Sequence, residues 1–200
     1  MSNKYVLLIG GVPGVGKSSI SGYIARSLGF DIILSGDYLR EFARPLVGES
    51  FPEMNLSVYD SWSKFGEKSR ENILNGFLRQ TEIMNKGVES VIKRSIKNGE
   101  RIILETLYFY PEFIDQYREE MVCLYLYIND EKVHKEHLEE RINYTHPNSP
   151  GTRLSAHLFE YRIMMRHSLA FCKEKNIRTF EMSNYIKTRN EIEKYLEGEF

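Results

Sequence analysis

Gly11-Val12-Pro13-Gly14-Val15-Gly16-Lys17-Ser18 is the stretch on which the reading of this chain turns. It fits G-x-x-x-x-G-K-[ST], the pattern of a loop that cradles phosphates. Glycines at 11, 14 and 16 let the backbone reach positive φ and approach an anion closely. The loop N–H groups, helped by the partial positive charge at the start of a following helix, then converge on a negative group. The flanks supply the context such a loop needs. Tyr5-Val6-Leu7-Leu8-Ile9 is an unbroken apolar run, as in a strand buried on both faces. After the loop, Ile20, Tyr23, Ile24 and Leu28 recur at helical spacing. A glycine-rich turn that merely packs a helix on a strand is the alternative, and spacing and flanks together disfavour it. Residues Gly11, Val12, Pro13, Gly14, Val15, Gly16, Lys17, Ser18 and Ser19 are therefore expected to hold a nucleoside triphosphate. Lys17 would reach the β/γ-phosphates and Ser18 would offer its hydroxyl to Mg²⁺.

The chain has 200 residues, enough for one α/β domain with a full sheet core. A net charge of −1 gives no reason to expect a nucleic-acid partner. Cys123 and Cys172 lie far apart with no CxxC, which suggests neither a zinc site nor a disulfide framework. Cys123 falls in an apolar run and reads as a small buried hydrophobe. There is no charged-then-apolar leader, and no apolar run approaches membrane-spanning length. A cytoplasmic protein without a membrane partner is expected, its oligomeric state open, a homodimer included.

Downstream of the first helix, residues 30–34 read as a second strand and 38–47 as a helix, with 50–56 as loop. Leu74, Phe77, Leu78, Thr81, Met84, Val88, Val91 and Ile92 keep a helical rhythm that Gly99 would stop. Residues 101–106 and 122–128 read as strands, with a short helix over 111–119 between them. Asp130 is placed as the N-cap of a helix running to about 144, and the breaker-rich 146–151 reads as loop. Helix over 154–175, strand over 177–182 and helix over 187–196 complete the chain. Strands alternating with helices imply a three-layer α/β sandwich: a mostly parallel five-stranded sheet, helices on both faces and a helical lid. The chain, 1–200, is read as one domain, with an acceptor-side helical insertion near 38–98 and a lid near 131–167.

In such sheets ligands sit at the carboxyl ends of the strands, which gathers the loop, Asp37, Glu105 and Asn184 around one cleft. Asp37 follows the second strand. Arg40 and Arg44, four apart, share a face of the helix that begins there. A carboxylate beside two guanidiniums suits an acceptor carrying both a hydroxyl and an anion. Glu105 ends an apolar strand and suits the metal shell or the acceptor hydroxyl. Asp37 is favoured as base and Glu105 for the metal. Arg141 and Arg153 flank the Pro/Gly loop, as the cations of a closing lid would. Arg162 and Arg166, four apart, have surface pairing with Glu160 or other acids as an ordinary alternative. His134 and His137 read as a solvated helix face, since no third metal ligand stands out. Tyr59 and Trp62, three apart in the insertion, would share a helix face and are placed as acceptor contacts.

With these residues in view the chain resembles the archaeal 2-phosphoglycerate kinase family. The phosphate loop, Leu34-Ser35-Gly36-Asp37-Tyr38-Leu39-Arg40, Ser57-Val58-Tyr59-Asp60-Ser61-Trp62, and Ile103-Leu104-Glu105 followed by Pro111 carry the resemblance. So does the run from His134 to Arg141 and on through the arginines to Arg166. The likeness covers almost the whole chain. It implies ATP-dependent, Mg²⁺-assisted phosphorylation of a hydroxyl on a small phosphorylated carboxylic acid. Two departures matter. Longer members carry a nucleotide-sensing region ahead of the first strand, which here begins at once. Where the family has Glu-Gly and then His, this chain reads Glu105-Thr106-Leu107-Tyr108-Phe109-Tyr110. The exchange of His for aromatics points to a more apolar acceptor, beside Tyr108 and Phe109. The compact branch of the family that uses mevalonate 3-phosphate fits that change, with 2-phosphoglycerate as the alternative. Two further classes compete. A GTP-dependent switch would need a guanine-reading Asn/Thr-Lys-x-Asp after a late strand, which Asn129-Asp130 and Asn184-Tyr185 do not supply. A nucleoside, nucleotide or nucleic-acid end kinase shares the phosphate chemistry but sits poorly with the neutral charge.

Overall fold

The computed structural model describes residues 4–140 and 151–200. Five parallel strands form one sheet in the order β2-β3-β1-β4-β5. They are β1 (Val6–Gly10), β2 (Ile32–Ser35), β3 (Ile102–Thr106), β4 (Met121–Tyr127) and β5 (Arg178–Glu181). β1 lies at the centre, and every residue of it is buried, as its unbroken apolar run requires. The edge strand β2 is half covered, with Ile32 and Ile33 exposed.

Register decides what meets at the carboxyl edge. Ile9 pairs with Glu105 and Gly10 with Thr106, while Ser35 on the far side of β3 also pairs with Glu105. The turns that leave β1, β2 and β3 therefore start side by side, which is the crevice that parallel sheets offer to ligands. Gly36 makes the β2 turn possible: a Cβ there would lie 2.7 Å from Thr106 Oγ1 and 3.0 Å from Glu105 O.

The crossovers are α1 (Lys17–Leu28), α2 (Gly36–Val47), α3 (Arg70–Asn98), α4 (Glu131–Glu140), α5 (Gly151–Ser155), α6 (Leu158–Glu174) and α7 (Tyr185–Glu197). Ser69 caps α3 by accepting from Asn72 N, and Gly99, at φ 67, closes it through carbonyls of its last turn. Gly76 lets α3 touch the turn at Ser61–Lys64, since a Cβ would fall 2.7 Å from Ser61 C and 2.8 Å from Trp62 N. The sheet core (Leu7, Leu8, Ile9, Leu104, Leu124) packs with Ile20 and Ile24 of α1, Phe77 and Ile92 of α3, and Met164 of α6 in one apolar cluster.

Three expectations change in detail. The stretch at 111–119 is not an α-helix but a short 3₁₀ turn, Glu112–Gln116. The loop at 50–56 contains a second such turn, Pro52–Asn55. The helix expected over 154–175 is broken between α5 and α6, where His157 leaves helical geometry (φ −106°, ψ 20°) and stacks its ring 3.8 Å from that of Tyr59. No helix among the described residues is long and apolar enough to cross a membrane.

Candidate functional site

The phosphate loop is a backbone device before it is a set of side chains. Gly14 and Gly16 take φ of 86° and 85°, the left-handed region that side-chain-bearing residues rarely adopt. Gly16 is the N-cap of α1 and contributes no side-chain hydrogen bond, so the first-turn N–H groups of a 12-residue helix are left for a ligand. At Gly11 a Cβ would lie 2.6 Å from Val15 Cγ2 and 2.9 Å from Leu126 O. Lys17 Nζ donates to Val12 O at 3.2 Å and so lies along the loop.

Glu105 is the buried acid of this edge, only 7 % exposed. Ser18 Oγ donates to its Oε1 at 2.9 Å and Ser21 Oγ to its Oε2 at 3.3 Å. Both hydroxyls come from one face of α1, three residues apart. A hydroxyl and a carboxylate in contact form an all-oxygen donor set, which fits a hard divalent cation such as Mg²⁺. Mg²⁺ takes few protein ligands and fills its shell with phosphate and water. Among the described residues no group of three or more His, Cys, Asp or Glu stands ready to hold a metal.

A cavity of about 990 Å³ opens over the loop. Residues 13–19 form its floor. Asp37, Tyr38 and Glu41 of α2, Glu105 and Thr106 at the end of β3 with Leu107 beyond it, and His137, Glu140, Met182 and Tyr185 also line it. Asp37 stands exposed in the first turn of α2, within the same cavity as Lys17 and Ser18. The structure thus brings together the loop, Asp37 and Glu105.

Other expected contacts stand elsewhere. Arg40 is buried: its Nη2 donates to Met54 O at 3.1 Å and to Leu56 O, and its Nη1 pairs with Glu41. Arg44 pairs with Glu41 at 3.0 Å on the outer face of α2. Tyr108 is also buried, its hydroxyl 3.1 Å from Gln80 Oε1, and Gln80 Nε2 donates to Glu53 O and Leu56 O. Burial pushes the Tyr108 phenol well above the ordinary tyrosine range. Arg40, Gln80 and Tyr108 thus tie the 52–56 turn to α2, α3 and the end of β3. Phe109, expected near the acceptor, is core instead: a Cβ on Gly10 would lie 2.2 Å from its ring. Tyr59 and Trp62 do not share a helix face, because only Ser61–Lys64 is turned, as 3₁₀. Tyr59 stacks on His157 and Lys68 Nζ sits 5.9 Å over the Trp62 ring; neither aromatic lines the cavity. Asn184 Oδ1 accepts from Lys187 N at 3.1 Å and caps α7, while its neighbours Met182 and Tyr185 line the cavity. Arg153 is exposed on α5, and Arg141 lies outside the described residues.

Arg162 is not a surface residue. It is 8 % exposed and donates to Ile128 O at 2.8 Å and Asn129 O at 2.7 Å, while Glu160 pairs with Lys68 instead. The solvated face expected for His134 and His137 is also overturned. His134 is fully buried with Nε2 2.8 Å from Pro13 O, and His137 Nδ1 lies 3.3 Å from Gly14 O. Asp130 does cap α4 as expected, accepting from Lys132 N and Val133 N. Ser21, Leu107, His137, Met182 and Tyr185 were not singled out as cavity or metal-side residues. Ser21 had a readable signal, the i, i+3 spacing from Ser18; the others follow strands whose ends face the loop only once the strand order is known.

A family model described as an AAA domain matches residues 10–147. Mevalonate-3-phosphate 5-kinase of Thermoplasma acidophilum is 46% identical over 95% of this chain and 94% of its own length. A 2-phosphoglycerate kinase of Methanopyrus kandleri is 27% identical over 96% of this chain, which spans 60% of that relative's length. Among solved structures, shikimate kinase from Acinetobacter baumannii in complex with shikimate aligns with a TM-score of 0.53 at 14% identity, covering 98% of this chain and 92% of that one. That likeness shows the P-loop kinase fold. The chain therefore belongs to the AAA-domain family and, within it, to the P-loop small-molecule kinases that include the Thermoplasma mevalonate-3-phosphate 5-kinase.

Proposed function

We propose that this chain transfers the γ-phosphoryl group of ATP to the 5-hydroxyl of mevalonate 3-phosphate with the help of Mg²⁺. The observation that carries the reading is the single cavity shared by the phosphate loop, the Ser18–Glu105 pair and the exposed Asp37 carboxylate. The 46% identity to the Thermoplasma enzyme, against 27% to the Methanopyrus 2-phosphoglycerate kinase, supports this acceptor over 2-phosphoglycerate.

ATP would supply the phosphoryl group, and Mg²⁺ would neutralise charge on its phosphates. The loop N–H groups and Lys17 hold the phosphates in place. Ser18 and Glu105 would hold the metal. Asp37 takes the proton of the attacking hydroxyl as the new O–P bond forms and the bond to the departing ADP oxygen breaks. Arg44, on the same helix as Asp37 and with its side chain 40% exposed, receives an anionic group of the acceptor, while Arg40 is kept by Met54 O and Leu56 O to hold the turn beside it. Tyr108 stands behind Arg40. Asn184 serves the nucleotide through the turn that it caps.

The test is ADP release by purified protein with ATP and Mg²⁺, offered mevalonate 3-phosphate, mevalonate or 2-phosphoglycerate. Turnover with mevalonate 3-phosphate well above the other two is expected. Preference for 2-phosphoglycerate would overturn the acceptor, and turnover of none of them would overturn the acceptor class.

A further inference from the structure

Helix α4 packs directly against the phosphate loop, and its contacts there are specific. Asp130 caps its first turn and Leu138 is fully buried. A Cβ on Gly14 would fall 2.9 Å from Leu138 Cδ2 and 3.3 Å from His134 Cδ2, so the helix rests on bare backbone. His134 and His137, three residues apart on that face, reach two consecutive carbonyls: Nε2 of His134 to Pro13 O at 2.8 Å, Nδ1 of His137 to Gly14 O at 3.3 Å. A carbonyl oxygen only accepts, so both contacting nitrogens carry the proton. His134 is then an Nε2–H tautomer and His137 has Nδ1–H directed at the loop.

The consequence follows from peptide geometry. In a planar trans peptide the C=O and the N–H of the next residue point in opposite directions. Pro13 O shares its plane with the Gly14 N–H, and Gly14 O with the Val15 N–H. Drawing both carbonyls toward the two rings turns both N–H groups the opposite way, away from those rings, in a loop that lines the cavity. A hydrogen bond accepted at the carbonyl also polarises the amide and makes its N–H a stronger donor. Glycine at 14 is free to rotate, so without an outside hold these two planes have little reason to stay aligned.

We propose that His134 and His137 are positioning residues for phosphoryl transfer: by holding Pro13 O and Gly14 O they fix the Gly14 and Val15 N–H groups on the donor phosphates. This rests on reading the loop as the phosphate site and adds the device that preorganises it. Preorganised donors of this kind cost no rearrangement at the moment of reaction.

The probes are MgATP and inorganic tripolyphosphate. Removing the donor in His137→Leu is expected to raise KM for MgATP and Ki for tripolyphosphate by about tenfold, the worth of one hydrogen bond to an aligned amide, with KM for the acceptor unchanged. His137→Asn, whose side-chain N–H stands near the place of Nδ1, is expected to recover most of the loss. His134→Gln, which keeps a donor near Nε2, is expected to stay close to wild type, and His134→Phe to behave like His137→Leu. Amide resonances of Gly14 and Val15 give a second readout: their response to tripolyphosphate should shrink in His137→Leu. Variants that melt earlier yet keep MgATP KM and tripolyphosphate Ki within about twofold of wild type would overturn the inference, since packing alone would then explain the contact. Equal loss in His137→Asn and His137→Leu would overturn it as well. If wild-type protein bound no tripolyphosphate, the phosphate-site reading itself would fall.

Discussion

Ser18 Oγ donates to Glu105 Oε1 at 2.9 Å, joining the first turn of α1 to the carboxyl end of β3. With Ser21 on the other oxygen, Glu105 accepts from two hydroxyls, whereas Asp37 stands exposed in the same cavity. We therefore expect the two acids to separate kinetically. Glu105→Gln should raise the Mg²⁺ concentration needed for half-maximal rate. Asp37→Asn should leave it unchanged and lower kcat by roughly 10²–10⁴-fold, the usual worth of a general base. Magnesium titrations of both variants at saturating ATP make the comparison, and matching Mg²⁺ dependence would deny the division of roles.

Arg40 tests whether a buried cation serves the fold or the acceptor. Its hold on Met54 O and Leu56 O leaves those carbonyls without a charged donor when it is removed. Arg40→Met should cost about 2 kcal/mol or more of stability, the worth of hydrogen bonds to a charged group. Arg44→Met, on the outer face, should cost well under about 1 kcal/mol, as exposed ion pairs do, while raising KM for the acceptor. Urea melts and acceptor KM values measured together distinguish the two.

Close backbone approach makes Gly76 a sensitive position in α3. Gly76→Ala pushes a methyl into Ser61 C and Trp62 N, groups that cannot move aside as a side-chain tip would. The helix gains propensity from alanine, by about 1 kcal/mol. Overpacking against backbone costs about 1–3 kcal/mol and should win, so thermal unfolding is expected at lower temperature.

Stability should also fall on mild acidification. The His134 ring titrates below its ordinary value, first because burial disfavours the cation, with Arg162, His137 and Lys17 adding to the effect against the Pro13 carbonyl. Burial lowers His167 in the same direction. In each case the unfolded chain takes up a proton that the folded chain refuses. The contribution is therefore present above the unfolded value of 6.5 and is lost as pH falls from there toward the depressed folded value. His134→Gln should flatten that part of the profile in urea melts. Loss confined to pH below about 4.5, where carboxylates titrate, would contradict the account.

Much of this was legible beforehand. The loop with its apolar strand, the parallel sheet, Asp37 and Glu105 at strand ends, and the caps at Asp130 and Gly99 all rest on local patterns. What was not legible depended on which elements touch. Arg40 and Arg44 looked alike on a helical projection, yet the 52–56 turn buries one and leaves the other outside. His134 and His137 looked like a wet face because nothing local says that α4 lies over Gly14. Phe109 looked like an acceptor wall, but Gly10 gives its ring a place in the core.

Transfer to the 5-hydroxyl is decided by ³¹P NMR of a reaction containing the protein, ATP, Mg²⁺ and mevalonate 3-phosphate. A new phosphomonoester resonance coupled to the C5 methylene protons is expected, growing in step with ADP while the 3-phosphate signal persists. ADP formation with inorganic phosphate as its only partner, or a new monoester only when 2-phosphoglycerate is supplied, would contradict it.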